Sequence, residues 1–292
     1  MSKVDFMIVG SGLFGAVFAQ QCKEKGKTCL VIDKRDHIGG NVFSKKIENI
    51  EVHMYGPHIF STNNDSVWNY VNKFSSFIQY AHKVKVNYND KIYSMPVNLQ
   101  TLYEVYGTRT PIEAIQKLNE VKLKIPNPTN LEDYCLSQVG PEIYEIFIKG
   151  YTKKQWMQDP KTLPTSIIKR LPVRTNFDDR WHQSKYSGIP SDGYTRWVKN
   201  MLEGVKVELG QDFFNMEWKK YAKQVVYSGK IDELFSYCFG ELNYRTLRFD
   251  TKILDGDFQG VAQVNYTEER VPFTRTIEHK HFTFQSHDKT VV

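Results

Sequence analysis

Two arginines stand four residues apart in the stretch Ile167-Ile168-Lys169-Arg170-Leu171-Pro172-Val173-Arg174, and they have the chemistry to grip a diphosphate. A guanidinium presents a planar fork of donors that meets phosphate oxygens in pairs, which an ammonium cannot do. A solvated surface face is the plainer reading of the same residues. Upstream, Tyr144, Phe147 and Tyr151 recur at helical spacing and run into Thr152-Lys153-Lys154-Gln155-Trp156. An aromatic stripe of that period usually packs in a core. Tyr151 and Trp156 stand apart, because they sit at a helix end among cationic and amide side chains, where a planar or sugar-like ligand can stack. Elsewhere, Gly56-Pro57-His58 fits a tight turn presenting an imidazole. The pairs His53/His58 and His279/His281 invite a metal reading, but neither has further ligands at suitable spacing, so no metal is expected.

Such side chains need a frame, and the N-terminus supplies one. The apolar run at residues 6–9 reads as a buried strand, followed by Gly10-Ser11-Gly12-Leu13-Phe14-Gly15. Residues 16–27 have helix composition, residues 28–32 are apolar again, and Asp33 closes the run. Strand, glycine turn, helix, strand, acid is the order of a dinucleotide-binding βαβ unit. Gly10 permits the tight turn, Gly12 lets backbone approach a pyrophosphate, and Gly15 lets helix pack on strand. The helix start then favours phosphate, and Asp33 is placed to accept a ribose hydroxyl. Gly39-Gly40-Asn41 brings backbone close to the cofactor a second time, which favours FAD over NAD. An imidazole at His58 then suits the flavin ring. Leu13, Phe14, Lys34 and Ile59 complete the expected cofactor contacts.

The chain has 292 residues, enough for more than one domain, with 40% hydrophobic and 25% charged residues, as in ordinary globular proteins. No run is long enough to cross a membrane and the N-terminus enters directly into a strand, so a cytoplasmic protein is expected. Cys22, Cys29, Cys135 and Cys238 show no metal-like spacing and read as reduced thiols. The net charge of +6 comes without a basic tract or nucleic-acid module, which points to an anionic small ligand rather than nucleic acid.

The expected architecture is α/β: a Rossmann-like FAD-binding domain of the two-glycine type, an inserted helical domain, and an antiparallel substrate-domain sheet. Residues 1–80 and 193–240 are assigned to the first, 97–165 to the helices, and 81–96, 166–192 and 241–292 to the sheet. Within these, residues 63–77 predict a capped helix, and 84–95 a hairpin turning at Asn89-Asp90. Residues 111–121, 131–139 and 142–155 predict helices, and 193–202 another. The polar, aromatic stretch 178–189 reads as a mobile lid. Residues 225–229 predict a strand, 231–239 a helix, and 244–252, 260–266 and 273–284 further strands.

Taken together, VGSGLFGAVFA, DKRDHIGGN, YGPHIFSTN, IKGYTKKQW, IIKRLPVR, YSGIPSDGYT and VNYTEERVPFTRTIEHKHF occur in order along the chain. The sequence thereby resembles the bacterial UDP-galactopyranose mutases from end to end. The resemblance implies an FAD enzyme that interconverts UDP-galactopyranose and UDP-galactofuranose for capsular and other cell-surface polysaccharides, commonly as a dimer. N5 of reduced FAD would act as the nucleophile at the anomeric carbon. It implies catalytic roles for His58, Arg170 and Arg275. It also implies substrate contacts from Phe147, Tyr151, Thr152, Trp156, Arg170, Trp181, Arg245, Asn265 and Arg275. Pro57, Met157 (where the family has glycine) and Trp181 depart from the pattern. The family pattern also continues past Val292, through a tyrosine-bearing segment and a closing strand-glycine-helix element. From this, weakened FAD affinity, little turnover and an uncovered first strand are expected. Two alternatives stand beside the mutase: a remnant that binds UDP-sugar weakly or not at all, and a different FAD oxidoreductase, such as an amine-oxidase relative. Tyr151, Trp156 and Arg170 speak against the latter, since an amine substrate needs no diphosphate grip.

Overall fold

The computed structural model describes residues 3–168 and 172–292. Its first strand, Val4–Val9, turns into the helix Leu13–Glu24, and the chain returns as the strand Cys29–Asp33. The two strands pair in parallel, with Lys206–Leu209 beside the second and Ala222–Tyr227 beside the first. Met7, Ile8, Val31 and Ile32 are fully buried, which is why these strands read as continuous apolar runs rather than alternating ones. Both edges of the first strand are paired, so the expectation that it lacks cover is corrected.

A second sheet carries the substrate side. Its order is Arg275–Ile277, Gln263–Tyr266, Val84–Tyr88, Lys91–Met95. It is antiparallel except between Gln263–Tyr266 and Val84–Tyr88, which run parallel. The hairpin turns at Asn89 and Asp90, with φ of 50° and 59°, the double left-handed pair that a two-residue hairpin needs. Helices Leu99–Tyr106, Pro111–Val121 and Leu131–Ile143 close over this sheet, and Leu102, Leu131 and Ile143 are fully buried there with Val86 and Val97. Gly140, at φ 79°, breaks the third helix against Val121. The chain then widens into a π-helical turn, Tyr144–Lys149, before the short helix Gly150–Trp156.

Several expected elements come out differently. The helix expected over 63–77 spans only Asp65–Val71, where Asn64 caps it, and Phe77–Gln79 is a strand. The expected lid at 178–189 is half a sheet: Tyr186–Pro190 lies between Phe60–Thr62 and Phe77–Gln79, hydrogen-bonded on both edges. Its other half is tied down by Asp178, whose carboxylate takes Arg180 through Nε at 2.8 Å and Nη2 at 2.9 Å. The helix expected at 231–239 stops at Leu234, because Ser236 and Tyr237 adopt left-handed φ of 51° and 57°. Residues 244–252 form no regular strand, and their end, Lys252, exchanges backbone hydrogen bonds with Val292 at 2.7 and 2.9 Å. The strand expected over 273–284 is only Arg275–Ile277. Beyond it, buried Glu278 accepts the backbone N–H groups of Phe258, Gln259 and Gly260 and turns the chain into a 3-10 turn, His279–Phe282. Val291, in the strand Lys289–Val291, is fully buried against Ile50 and Val52. Among the described residues, no helix is long and apolar enough to cross a membrane.

Candidate active site

The glycine cradle is assembled by close backbone approach. A Cβ on Gly15 would sit 2.0 Å from the Gly10 carbonyl oxygen, and one on Gly40 would sit 2.9 Å from the Gly12 Cα. No side chain fits either place, so the first helix sits hard against its strand and the Gly39-Gly40 turn against the helix start. Gly39 donates its N–H to the Ser11 carbonyl at 2.9 Å, which joins the two glycine turns directly. This is a cradle shaped for the backbone of a pyrophosphate-bearing cofactor, and the residues present fit a dinucleotide. Asp33 has a further task that its spacing did not reveal. Its carboxylate accepts the Ser11 N–H at 2.8 Å, the Ser11 hydroxyl at 2.7 Å and the Arg35 N–H at 3.0 Å. A carboxylate offers about four acceptor directions, so roughly one is left for a ribose hydroxyl. Leu13 packs into the core, whereas Phe14, Lys34 and Asn41 lie on the surface around the cradle, and Asn41 accepts from Arg35 at 3.1 Å.

The Gly56-Pro57-His58 turn is pinned from below. His58 donates its backbone N–H to Nδ1 of His53 at 3.3 Å, and Tyr194 donates its hydroxyl to the His58 carbonyl at 2.8 Å. His53 in turn donates its own N–H to Nδ1 of His279 at 3.3 Å, and Ile59 packs into the core below. Burial drives the His53 imidazole down to about 3 and His279 to about 4, and lowers His58 as well, so all three are neutral near pH 7. Among the described residues, Nε2 of His53 and Nε2 of His58 are buried without a hydrogen-bond partner. An orphaned polar atom beside a dinucleotide cradle suits a ring with its own donors and acceptors. Consistent with a structural rather than metal-binding reading, His53 and His279 link the cofactor turn to the segment just after Arg275.

On the substrate side, Arg275 donates through Nη2 to the Tyr151 hydroxyl at 2.5 Å, and its guanidinium lies 5.8 Å from the Tyr151 ring centre. Asn265 is opposite Arg275 in the sheet and accepts from the Gln263 amide at 2.8 Å. Trp156 accepts Nε of Arg245 on its carbonyl at 3.1 Å, with that guanidinium 6.0 Å over its ring. Trp181 packs on the helical core and donates its N–H to the His82 carbonyl at 2.8 Å. Tyr151, Trp156, Arg245, Asn265 and Arg275 are thus drawn together from three separate stretches. Phe147 is 2% exposed and its ring meets that of Tyr93 edge to face, within the core. Thr152 is likewise buried. Arg170 lies outside the described residues.

Asp257, Glu278 and His281 converge closely enough to suggest a cation site. The Lys280 ammonium already pairs with Asp257 there, at 2.6 Å, and also donates to the carbonyls of Gly256 and His287. Tyr194 and Lys154 are the site-building residues that pattern reasoning passed over.

A dinucleotide cradle wired through buried histidines to an aromatic and arginine wall defines an enzyme of the Rossmann-like cofactor-binding class. Residues 8–74 match the model of the NAD(P)-binding Rossmann-like domain, and residues 146–292 match that of UDP-galactopyranose mutase. Over its whole length the chain is 43% identical to a probable UDP-galactopyranose mutase of Klebsiella pneumoniae, covering 77% of that protein. It is 42% identical to the dTDP-fucopyranose mutase of Escherichia coli, covering 80% of that one. The crystal structure of reduced UDP-galactopyranose mutase superposes with a TM-score of 0.71 over 99% of this chain and 73% of that one; at 14% identity this is a likeness of fold. The chain belongs to the UDP-galactopyranose mutase family, a family of isomerases.

Proposed function

We propose that this chain binds FAD and interconverts UDP-galactopyranose and UDP-galactofuranose. The observation that carries this is the Arg275–Tyr151 contact, which puts a cation and a phenol on one wall in a chain of this family. When bound and reduced, FAD supplies a nucleophile for the anomeric carbon at no net change of redox state. The chain's own residues do the rest. Tyr151 and Trp156 hold the nucleotide, while Arg170, Arg245 and Arg275 balance the charge of the departing diphosphate. Asn265 and Trp181 border the sugar, and Thr152 and Phe147 back the helix that carries Tyr151. His58, neutral because of its burial, keeps an unprotonated ring beside the cofactor. Gly10, Gly12, Gly15, Gly39 and Gly40 cradle the pyrophosphate. A dimer in the cytoplasm serving cell-surface polysaccharide synthesis is proposed with this activity.

The test is direct. The purified chain should carry a flavin absorption spectrum and, with dithionite, convert UDP-galactofuranose to the pyranose form. A colourless protein that leaves the sugar unchanged sinks the proposal. Arg170→Ala should weaken UDP binding by roughly 1.5–3 kcal/mol, the scale of a bond to a charged group; equal affinity in a titration would remove Arg170 from the site. A second substrate is favoured by the 42% identity to the fucopyranose mutase. Parallel assays with dTDP-fucofuranose decide between them by which sugar nucleotide turns over faster.

A further inference from the structure

Lys154 lies between the two substrate-bearing elements and makes contacts that the mutase reading does not use. Its ammonium donates to three backbone carbonyls, Tyr266 at 2.7 Å, Phe273 at 2.9 Å and Val271 at 3.1 Å. Tyr266 ends the strand that carries Asn265, and Val271 and Phe273 lie in its connection to the strand that carries Arg275. Lys154 itself sits in the helix Gly150–Trp156, which carries Tyr151 and Trp156. An ammonium has three donors and here meets three acceptors, so the count is matched.

The rest of this contact is equally close. A Cβ on Gly150 would lie 2.2 Å from the Thr267 carbonyl oxygen, and the Thr267 hydroxyl donates to the Ile146 carbonyl at 2.5 Å. Lys153 pairs with Glu269 at 2.9 Å on the outer side. The rings of Tyr266 and Phe273 meet edge to face at 4.8 Å, bringing two of the caged carbonyls together.

We propose that Lys154 is a positioning residue: its ammonium clamps the Asn265–Arg275 connection to the Tyr151–Trp156 helix and so sets the width of the substrate site. This rests on the reading that Tyr151 and Arg275 bind the nucleotide sugar. Charged groups face the clamp from both sides, Glu268 and Glu269 from the connection and Lys153 and Arg270 around them. Burial lowers the Lys154 ammonium to about 8, against the pull of Glu268 and Glu269. Above that pH the neutral amine has two donors for three carbonyls, and the clamp loosens.

Linkage separates this loosening from unfolding. Between about 8 and the ordinary lysine value of 10.5, the folded chain holds fewer protons at Lys154 than the unfolded chain. This group's contribution to stability therefore rises with pH over that window. Affinity should fall while the contribution of Lys154 to stability does not.

The experiment uses the full chain supplemented with FAD, with UDP-galactose as the probe and its Kd measured from pH 7 to 10. The parent should lose affinity above about pH 8. Lys154→Met should bind about tenfold more weakly at pH 7, as loss of a charge-assisted contact implies. Lys154→Arg, which stays charged, should bind within about threefold of the parent at pH 7 and lose the alkaline limb. Hydrogen exchange of residues 266–275 without ligand reads the clamp on its own, and should be faster in Lys154→Met. Parent-like exchange in that variant, or an alkaline limb that persists in Lys154→Arg, overturns the clamp. A parent that binds no UDP-galactose while Lys154→Met still loosens the connection overturns the substrate reading and leaves the clamp standing.

Discussion

Met157 shows how one side chain can sit at odds with its own backbone. It caps the helix Gly150–Trp156 in the left-handed region, at φ 52° and ψ 33°, and is 81% exposed. Glycine is the residue that such a cap accommodates without a Cβ penalty. Met157→Gly should therefore raise stability by up to about 1 kcal/mol, partly offset by the greater freedom glycine gives the unfolded chain. A urea titration checks this, and a lower midpoint in the variant would show that Met157 makes a compensating contact. Asp33 teaches the complementary lesson. Its spacing from the glycine turn announced a ribose ligand, yet most of its acceptor capacity goes to holding that turn. A side chain's partners depend on which donors arrive in space, and pattern cannot count them.

Among the elements, those with strong local signals formed as the sequence predicts. The hairpin at Asn89-Asp90 and the helix Pro111–Val121, with Pro111 at its start and Thr110 capping it, are of this kind. Leu99–Tyr106, not among the predicted helices, has a capping box: Asn98 accepts from Gln100 and Thr101 N–H, and the Thr101 hydroxyl accepts the Asn98 N–H at 3.1 Å. Both residues are fully buried, so Asn98→Ala should cost about 1–2 kcal/mol. Denaturation of that variant measures it, and a loss under about 0.3 kcal/mol would mean the cap contributes little here. The elements that came out differently lack such signals or are decided from a distance. Residues 77–79 became a strand because Tyr186–Pro190 offered an edge, and the 273–284 stretch bent away because Glu278 found three amides far along the chain.

Across the whole molecule, buried imidazoles tie the cofactor layer to the substrate layer. His53 is driven to about 3 and both His82 and His279 to about 4, with burial the largest cause for each. From the ordinary 6.5 down to those values, the unfolded chain binds more protons than the folded one. Stability is thus fully present above pH 6.5 and drains as pH falls, by up to about 1.4 kcal/mol per pH unit for each ring. Urea midpoints measured from pH 7 to pH 5 should decline on this account, and His53→Gln should flatten the decline. An equally steep slope in that variant would clear His53 of the effect.

The sequence by itself determined the dinucleotide unit and the family. The glycines, the apolar runs and Asp33 lie within about thirty residues, and local backbone sterics demand those residue types whatever surrounds them. It also singled out Tyr151, Trp156, Arg245, Asn265 and Arg275 as substrate contacts, by resemblance. Only the tertiary structure decided how these meet, which is through the Arg275–Tyr151 contact, the His53–His279 link and the Lys154 cage. Those contacts join residues over one hundred positions apart. Their strength comes from burial and matched donors and acceptors, which exist only once the sheets and helices have closed on one another.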